Sequence, residues 1–204
     1  QMMSKVERVL ARTFADSQKP AVSFVVGNLA HPEALIAMDA VAIASTKLAG
    51  GEVRHFRAPA LNKVAPGAHA ASLPAGGRVY VSGQAEKGEL AEATRKTLES
   101  LVATLDHIGL KRSHIVQLKA FMQPMDNVAV AQKEIKQFFG DGLAPPMIFV
   151  EWISGAYPIE IEIIASAPEN KFRESVSFIT PPGMKPSPVY SKVTRVNHGK
   201  TVFI

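Results

Sequence analysis

In the run "PIEIEIIAS" (158–166) two glutamates, Glu160 and Glu162, stand two residues apart. On a strand that spacing turns both carboxylates to one face. Set in a cleft, Glu160 is a candidate to act on a ligand; on an open sheet the pair is a solvated one. A second candidate is the turn Ser82-Gly83-Gln84 that ends "RVYVSGQ", which either lines a pocket or simply redirects the chain after a strand. A third is Met147 in "APPMIFVE", read either as the wall of an apolar ligand cleft or as core and subunit-contact packing. The other reactive residue types exclude more than they offer. The chain has no cysteine, so disulfides, thiol nucleophiles and thiolate metal sites are all ruled out. Its six histidines show neither HxxxH nor HxH spacing, which argues against a metal site. The glycine pairs in "PAGGR" and "LAGGE" neither follow a strand nor open a helix, so they make no phosphate loop.

The elements that must position these residues are legible from periodicity. "GGRVYVSGQ" (76–84) reads as a short apolar strand, preceded by a strand around 68–73. In 88–110, Leu98, Leu101, Val102, Leu105 and Ile108 follow helical spacing, with Gly109 as the stop. Val116, Leu118 and Ala120 alternate in a strand over 114–124. A second helix over 125–142 has Asp126 or Asn127 as candidate N-cap. Two β-rich runs, "MIFVEWI" and "PIEIEIIAS", then follow. Trp152, the single tryptophan, reads as packing at a core edge or an interface.

Composition sets the bounds. The 204 residues are 47% hydrophobic and 20% charged, enough to bury a core and ordinary for a globular chain. No apolar stretch reaches the roughly 18 residues a membrane span requires. The start, "QMMSKVERVL", lacks the apolar region of a signal peptide. With the absent cysteines, this points to a cytoplasmic protein with no membrane partner. The net charge of +5 invites a nucleic-acid reading, but the basic residues form no run. A solvated basic surface is preferred.

The chain also repeats itself. In "VERVLARTFADSQKPAVSFVV" (6–26) and "KEIKQFFGDGLAPPMIFVE" (133–151) a helix ends in Phe and a proline follows six residues later. "ALIAMDAVAIAS" (34–45) parallels "PIEIEIIAS", and 186–204 parallels 66–81. The expected organisation is therefore a trailing half-unit (1–46), a linker (47–56), a complete domain (57–167), a second linker (168–185) and the leading strands of a further unit (186–204). A core strand cut off from its partners points to a longer tandem-repeat parent.

In this order "RVYVSGQ", "ATRKTLESLVATLDHIGL", "IVQLKAFMQPMDN", "IKQFFGDGLAPP" and "IEIEIIAS" resemble the RidA/YjgF family of imine deaminases, also known as L-PSP endoribonucleases. The resemblance implies an α+β, chorismate-mutase-like sandwich, a mixed sheet with two helices on one face. It implies homotrimers built around a central barrel of sheets, with small-molecule sites in the clefts between subunits; tandem units would make a pseudo-trimer. It further implies addition of water to a 2-imino acid, giving a 2-keto acid and ammonia, with no cofactor and no metal. Glu160 matches the glutamate that orients or activates the water. Ser82, Gly83 and Gln84 match the turn that lines the substrate pocket, and the stretch Met147, Ile148 and Phe149 completes it. Tyr190 stands at the position of the tyrosine that closes the pocket; in the middle unit that position falls near Gly67-Ala68. The family's carboxylate-clamping arginine would stand at 147, and this chain has methionine there. A substrate carboxylate left without that partner costs on the order of 3–5 kcal/mol, roughly a hundredfold to a few thousandfold in rate or affinity. Three functions follow: a divergent imine or enamine hydrolase, a non-catalytic binding or scaffold module, and, ranked last, RNA binding or cleavage.

Overall fold

Apolar residues at helical spacing begin the chain as α1 (Met2–Thr13), followed by β1 (Arg54–Phe56) and β2 (Ala70–Ser72). Next come β3 (Gly77–Gln84), α2 (Leu90–His107), β4 (Ile115–Met122), α3 (Val128–Phe139), β5 (Met147–Glu151) and β6 (Ile159–Ala167). A hairpin of β7 (Val176–Ile179) and β8 (Val193–Val196) completes the order. The computed structural model describes residues 2–15, 19–42, 52–61, 67–140, 142–152 and 155–199.

Alternation in the strands produces one buried face. The six-stranded mixed sheet runs β5-β4-β6-β3-β8-β7, parallel only between β4 and β5. Its register aligns Leu118, Ala120 and Met122 of β4 with Ile163, Ile161 and Ile159 of β6, while Val79 and Val81 of β3 meet Ala165 and Ile163. Leu98, Leu101 and Leu105 of α2 and Ala131 and Ile135 of α3 close that face from above. Each such aliphatic side chain withdrawn from water stabilises the fold by about 1.5–3 kcal/mol. Gly109 (φ 76°) ends α2, taking a conformation that a Cβ would strain. Asn127 is the residue before α3, but its side chain makes no capping hydrogen bond. The α+β sandwich with two helices on one face of a mixed sheet is thus as the sequence leads one to expect.

The ends of the chain differ from expectation. Over residues 19–42 the repeated pattern predicts strands, yet the described residues there form none. Asn28 instead donates its backbone N–H and its Nδ2 to the Glu151 carboxylate, at 2.9 and 2.7 Å. Further on, Gln117 Nε2 donates to Asp39 Oδ2 at 2.7 Å. The segment is held to β4 and β5 by side chains rather than by a backbone ladder, because both edges of β4 are already taken by β5 and β6. The stretches expected to be linkers both hold strands, β1 in 47–56 and β7 in 168–185.

One strand has been replaced. β2 does not join β3; it pairs with β1 in a separate two-stranded sheet. The place beside β3 belongs to β8, from the segment that repeats 66–81. β8 offers Val193, Thr194 and Val196, whereas β2 offers Ala70, Ala71 and Ser72, and β-branched residues fit a pleated, half-buried surface better. Asn197, buried, fastens the β7–β8 hairpin through bonds to the Glu174 carbonyl and the Ser177 hydroxyl. The expected strand of 201–204 lies outside the described residues.

Candidate functional site

The sheet face away from the helices collects the polar side chains. The alternation that buries Val79, Val81, Ile159 and Ile161 turns Ser82, Glu160 and Glu162 to the opposite side. There Lys119 pairs with Glu162 at 3.0 Å, so the second glutamate of the pair is charge-compensated. Glu160 lies across Gly83: a Cβ at Gly83 would overlap the carboxylate and fall 2.6 Å from its Cδ. Glycine at 83 is therefore what lets Glu160 cross β3 beside Ser82.

The third group arrives with β8. The register Val81↔Val193 sets Ser82 opposite Lys192. Both donors of Ser82 go to the Lys192 carbonyl, the N–H at 3.0 Å and the Oγ–H at 3.1 Å. Lys192 Nζ donates to Tyr190 OH at 2.8 Å and sits 4.5 Å from the ring centroid, a cation–π contact. Ser82 and Gly83 of β3 and Glu160 of β6 thus lie together, and Tyr190 reaches this end of the sheet through Lys192, both residues standing just before β8. Lys192 joins them without having been singled out from the sequence.

The remaining candidates lie elsewhere. After an irregularity in β3, Gln84 aligns with Ile161 and points between sheet and helix, its Nε2 bonded to Thr104 Oγ1 at 2.8 Å. Met147 aligns with Leu118 on the helix side and packs against the core. A side chain at Gly67 would come within 2.9 Å of Met147 Cε, so position 67 has no room for a tyrosine. Phe149 is buried in the core. Of the three β5 candidates only Ile148, aligned with Lys119, shares the face of Glu160. The structure does not bring Gln84, Met147 or Phe149 to Glu160.

Several groups outside this cluster are perturbed. Burial pushes His55 below the usual imidazole range, partly offset by its contact with the Ile115 carbonyl. The two hydrogen bonds from Asn28 hold Glu151 below the usual carboxylate range. Desolvation lowers Arg195, whose guanidinium lies 5.3 Å from the Phe172 ring centroid. Among the described residues no group of three or more His, Asp or Glu is placed to hold a metal ion. No described helix is long and apolar enough to cross a membrane.

The family model for endoribonuclease L-PSP matches residues 60–167. The chain belongs to that family, the YjgF/Rid proteins. The Rid-family protein YyfB from Yersinia pestis, 20% identical over 57% of this chain and 99% of its own, superposes with a TM-score of 0.50, which supports the Rid fold. A YjgF-family member from Neisseria meningitidis is 22% identical, covering 59% and 98%, with a TM-score of 0.43. TdcF from E. coli, solved with bound serine, is 21% identical, covering 56% and 94%, with a TM-score of 0.42. No curated protein matches the chain by sequence. Tyr190 and Lys192 lie beyond the stretch matched by the Rid family model.

Proposed function

We propose that this Rid-family chain hydrolyses the C=N bond of a small 2-imino acid, or of its enamine tautomer, to a 2-keto acid and ammonia. The observation that carries the reading is Glu160, laid across Gly83, the residue after Ser82. A carboxylate there can take a proton from water as the oxygen adds to the imine carbon. The C=N electron pair moves to nitrogen, which receives that proton and gives a carbinolamine. As the C–N bond breaks, the proton of the new hydroxyl passes by the same route to nitrogen. One water enters, one ammonia leaves, and no oxidation state changes.

The test couples the protein to a dehydratase that generates 2-iminopropionate. Wild-type protein should speed imine decay above the buffer rate, and Glu160→Gln should slow it about 10²- to 10⁴-fold. Decay at the buffer rate with wild-type protein sinks the reading. The same reading takes the site as a cleft closed by a neighbouring copy in a trimer or pseudo-trimer, and residues 1–46 and 186–204 as halves of further units. Sedimentation of the chain checks the assembly.

One observation favours a second reading, a ligand-binding or scaffold module without catalysis. Met147, at the position where the resemblance implies an arginine, packs into the core beside Gly67. β5 therefore offers no cation to a carboxylate. Keto-acid binding without imine turnover would select this reading.

A further inference from the structure

We propose that Lys192, which directly precedes β8, is the residue that binds the ligand's carboxylate, with the Tyr190 hydroxyl as its second donor. The inference rests on the reading of Glu160 as the water-activating group, and it assigns the ligand-binding charge to a part of the chain outside the family-matched region.

Three observations meet at this residue. First, its backbone is pinned: Ser82 donates twice to the Lys192 carbonyl, so the residue leading into β8 is fixed opposite Ser82. Second, the ammonium's partner is a phenol rather than a carboxylate. A phenol orients a cation without neutralising it, which leaves two of the three ammonium donors for a ligand. The other lysine of this face in an ion pair, Lys119, is bound to Glu162. Third, the strand order β6-β3-β8 sets Lys192 and Glu160 on either side of Ser82-Gly83. Two strand spacings put their backbones about 10 Å apart. Glu160 already reaches over Gly83, so its carboxylate stands one strand spacing, about 5 Å, from the Lys192 backbone, and a small acid held above the sheet could touch both side chains. The carboxylate would lie against Lys192 and Tyr190, and the reacting carbon toward Glu160.

The separation of roles makes the proposal testable. Pyruvate and 2-oxobutanoate serve as probes, titrated into the protein and followed by NMR. Lys192→Met should weaken probe binding at least tenfold, Lys192→Arg should retain most of it, and Tyr190→Phe should weaken it a few-fold. All three variants keep the backbone carbonyl that Ser82 uses, and thermal unfolding at the wild-type temperature checks that β8 is still in place. Glu160→Gln should not weaken probe binding, because it removes a negative charge from beside an anionic probe. Binding by Lys192→Met equal to wild type overturns the inference, as does wild-type protein that binds neither probe. If Lys192 governs probe binding but no variant or wild type turns over imine, the hydrolase reading falls and the assignment of Lys192 stands. If imine hydrolysis is present and unchanged in Lys192→Met, the reverse holds.

Discussion

Leu10 of α1 and Ile135 of α3 hold the same place in the repeated pattern, each four residues before a phenylalanine. Ile135 is fully buried, whereas α1 buries none of its residues. The contrast continues downstream. Phe24 is 45% exposed, while its counterpart Phe149 is 6% exposed. Met38 is 70% exposed, while Ile161, in the equivalent place, is fully buried. The difference lies in what stands between the two runs. β5 and β6 are both zipped to β4, whose Leu118, Ala120 and Met122 complete the buried face. Residues 19–42 have the alternation but no free edge of β4 to pair with. An apolar stripe is a capacity for burial, and it becomes stability only where a partner strand satisfies the backbone.

The contrast can be broken or sharpened by substitution. The largest effect belongs to the core: Ile161→Ala or Ile135→Ala should cost about 2–5 kcal/mol in urea unfolding. Leu10→Ala and Met38→Ala should stay within about 0.5 kcal/mol. Equal costs at Leu10 and Ile135 would erase the distinction drawn between the two helices. A smaller effect sits at the helix ends. Gly140 follows α3 with φ 63° and ψ −138°, a conformation nearly confined to glycine, so Gly140→Ala should cost about 1–3 kcal/mol. The corresponding end of α1 has Ala15, and Ala15→Gly should leave the unfolding midpoint where it is.

The smallest effect is local. Glu151→Gln should free residues 19–42 without moving the global transition, read as faster amide exchange in that segment alone. Acid should do the same. The Glu151 carboxyl is depressed by its bonds from Asn28, so its contribution is present above its ordinary unfolded pKa of about 4.3 and is lost as pH falls through the lower folded value. An Asn28 amide whose protection, with the intrinsic pH dependence of exchange divided out, is the same at pH 7 and pH 3 would show that its bond to Glu151 does not hold the segment.

Much of the domain was legible beforehand because its signals are local. Leu98, Leu101 and Leu105 announce α2, Val79 and Val81 announce β3, and Ile159, Ile161 and Ile163 announce β6. The alternation that buries those isoleucines also puts Glu160 on the other face, so half of the candidate site followed from a period of two. Met147 was harder to place. Its position at the start of a strand was readable, but the side it faces follows from its alignment with Leu118, a pairing between distant residues. Gln84 was hard to place for a related reason: an irregularity in β3 turns it from the face of Ser82 to that of Ile161. The place of Lys192 was not legible, since it depends on which strand lies beside Ser82.

By itself, then, the sequence determined the elements of the domain, the face each would bury, the family, and the two residues Ser82 and Glu160 that now share a surface. These depend on helical and strand periods, which residues a few positions apart already express. Only the tertiary structure decided that β8 rather than β2 lies against β3, that residues 19–42 stay without a ladder, and that the Lys192 backbone meets Ser82 on the side of β3 away from β6. Those outcomes come from competition among distant segments for a limited number of strand edges, and an edge is filled by whichever segment buries the better surface against it.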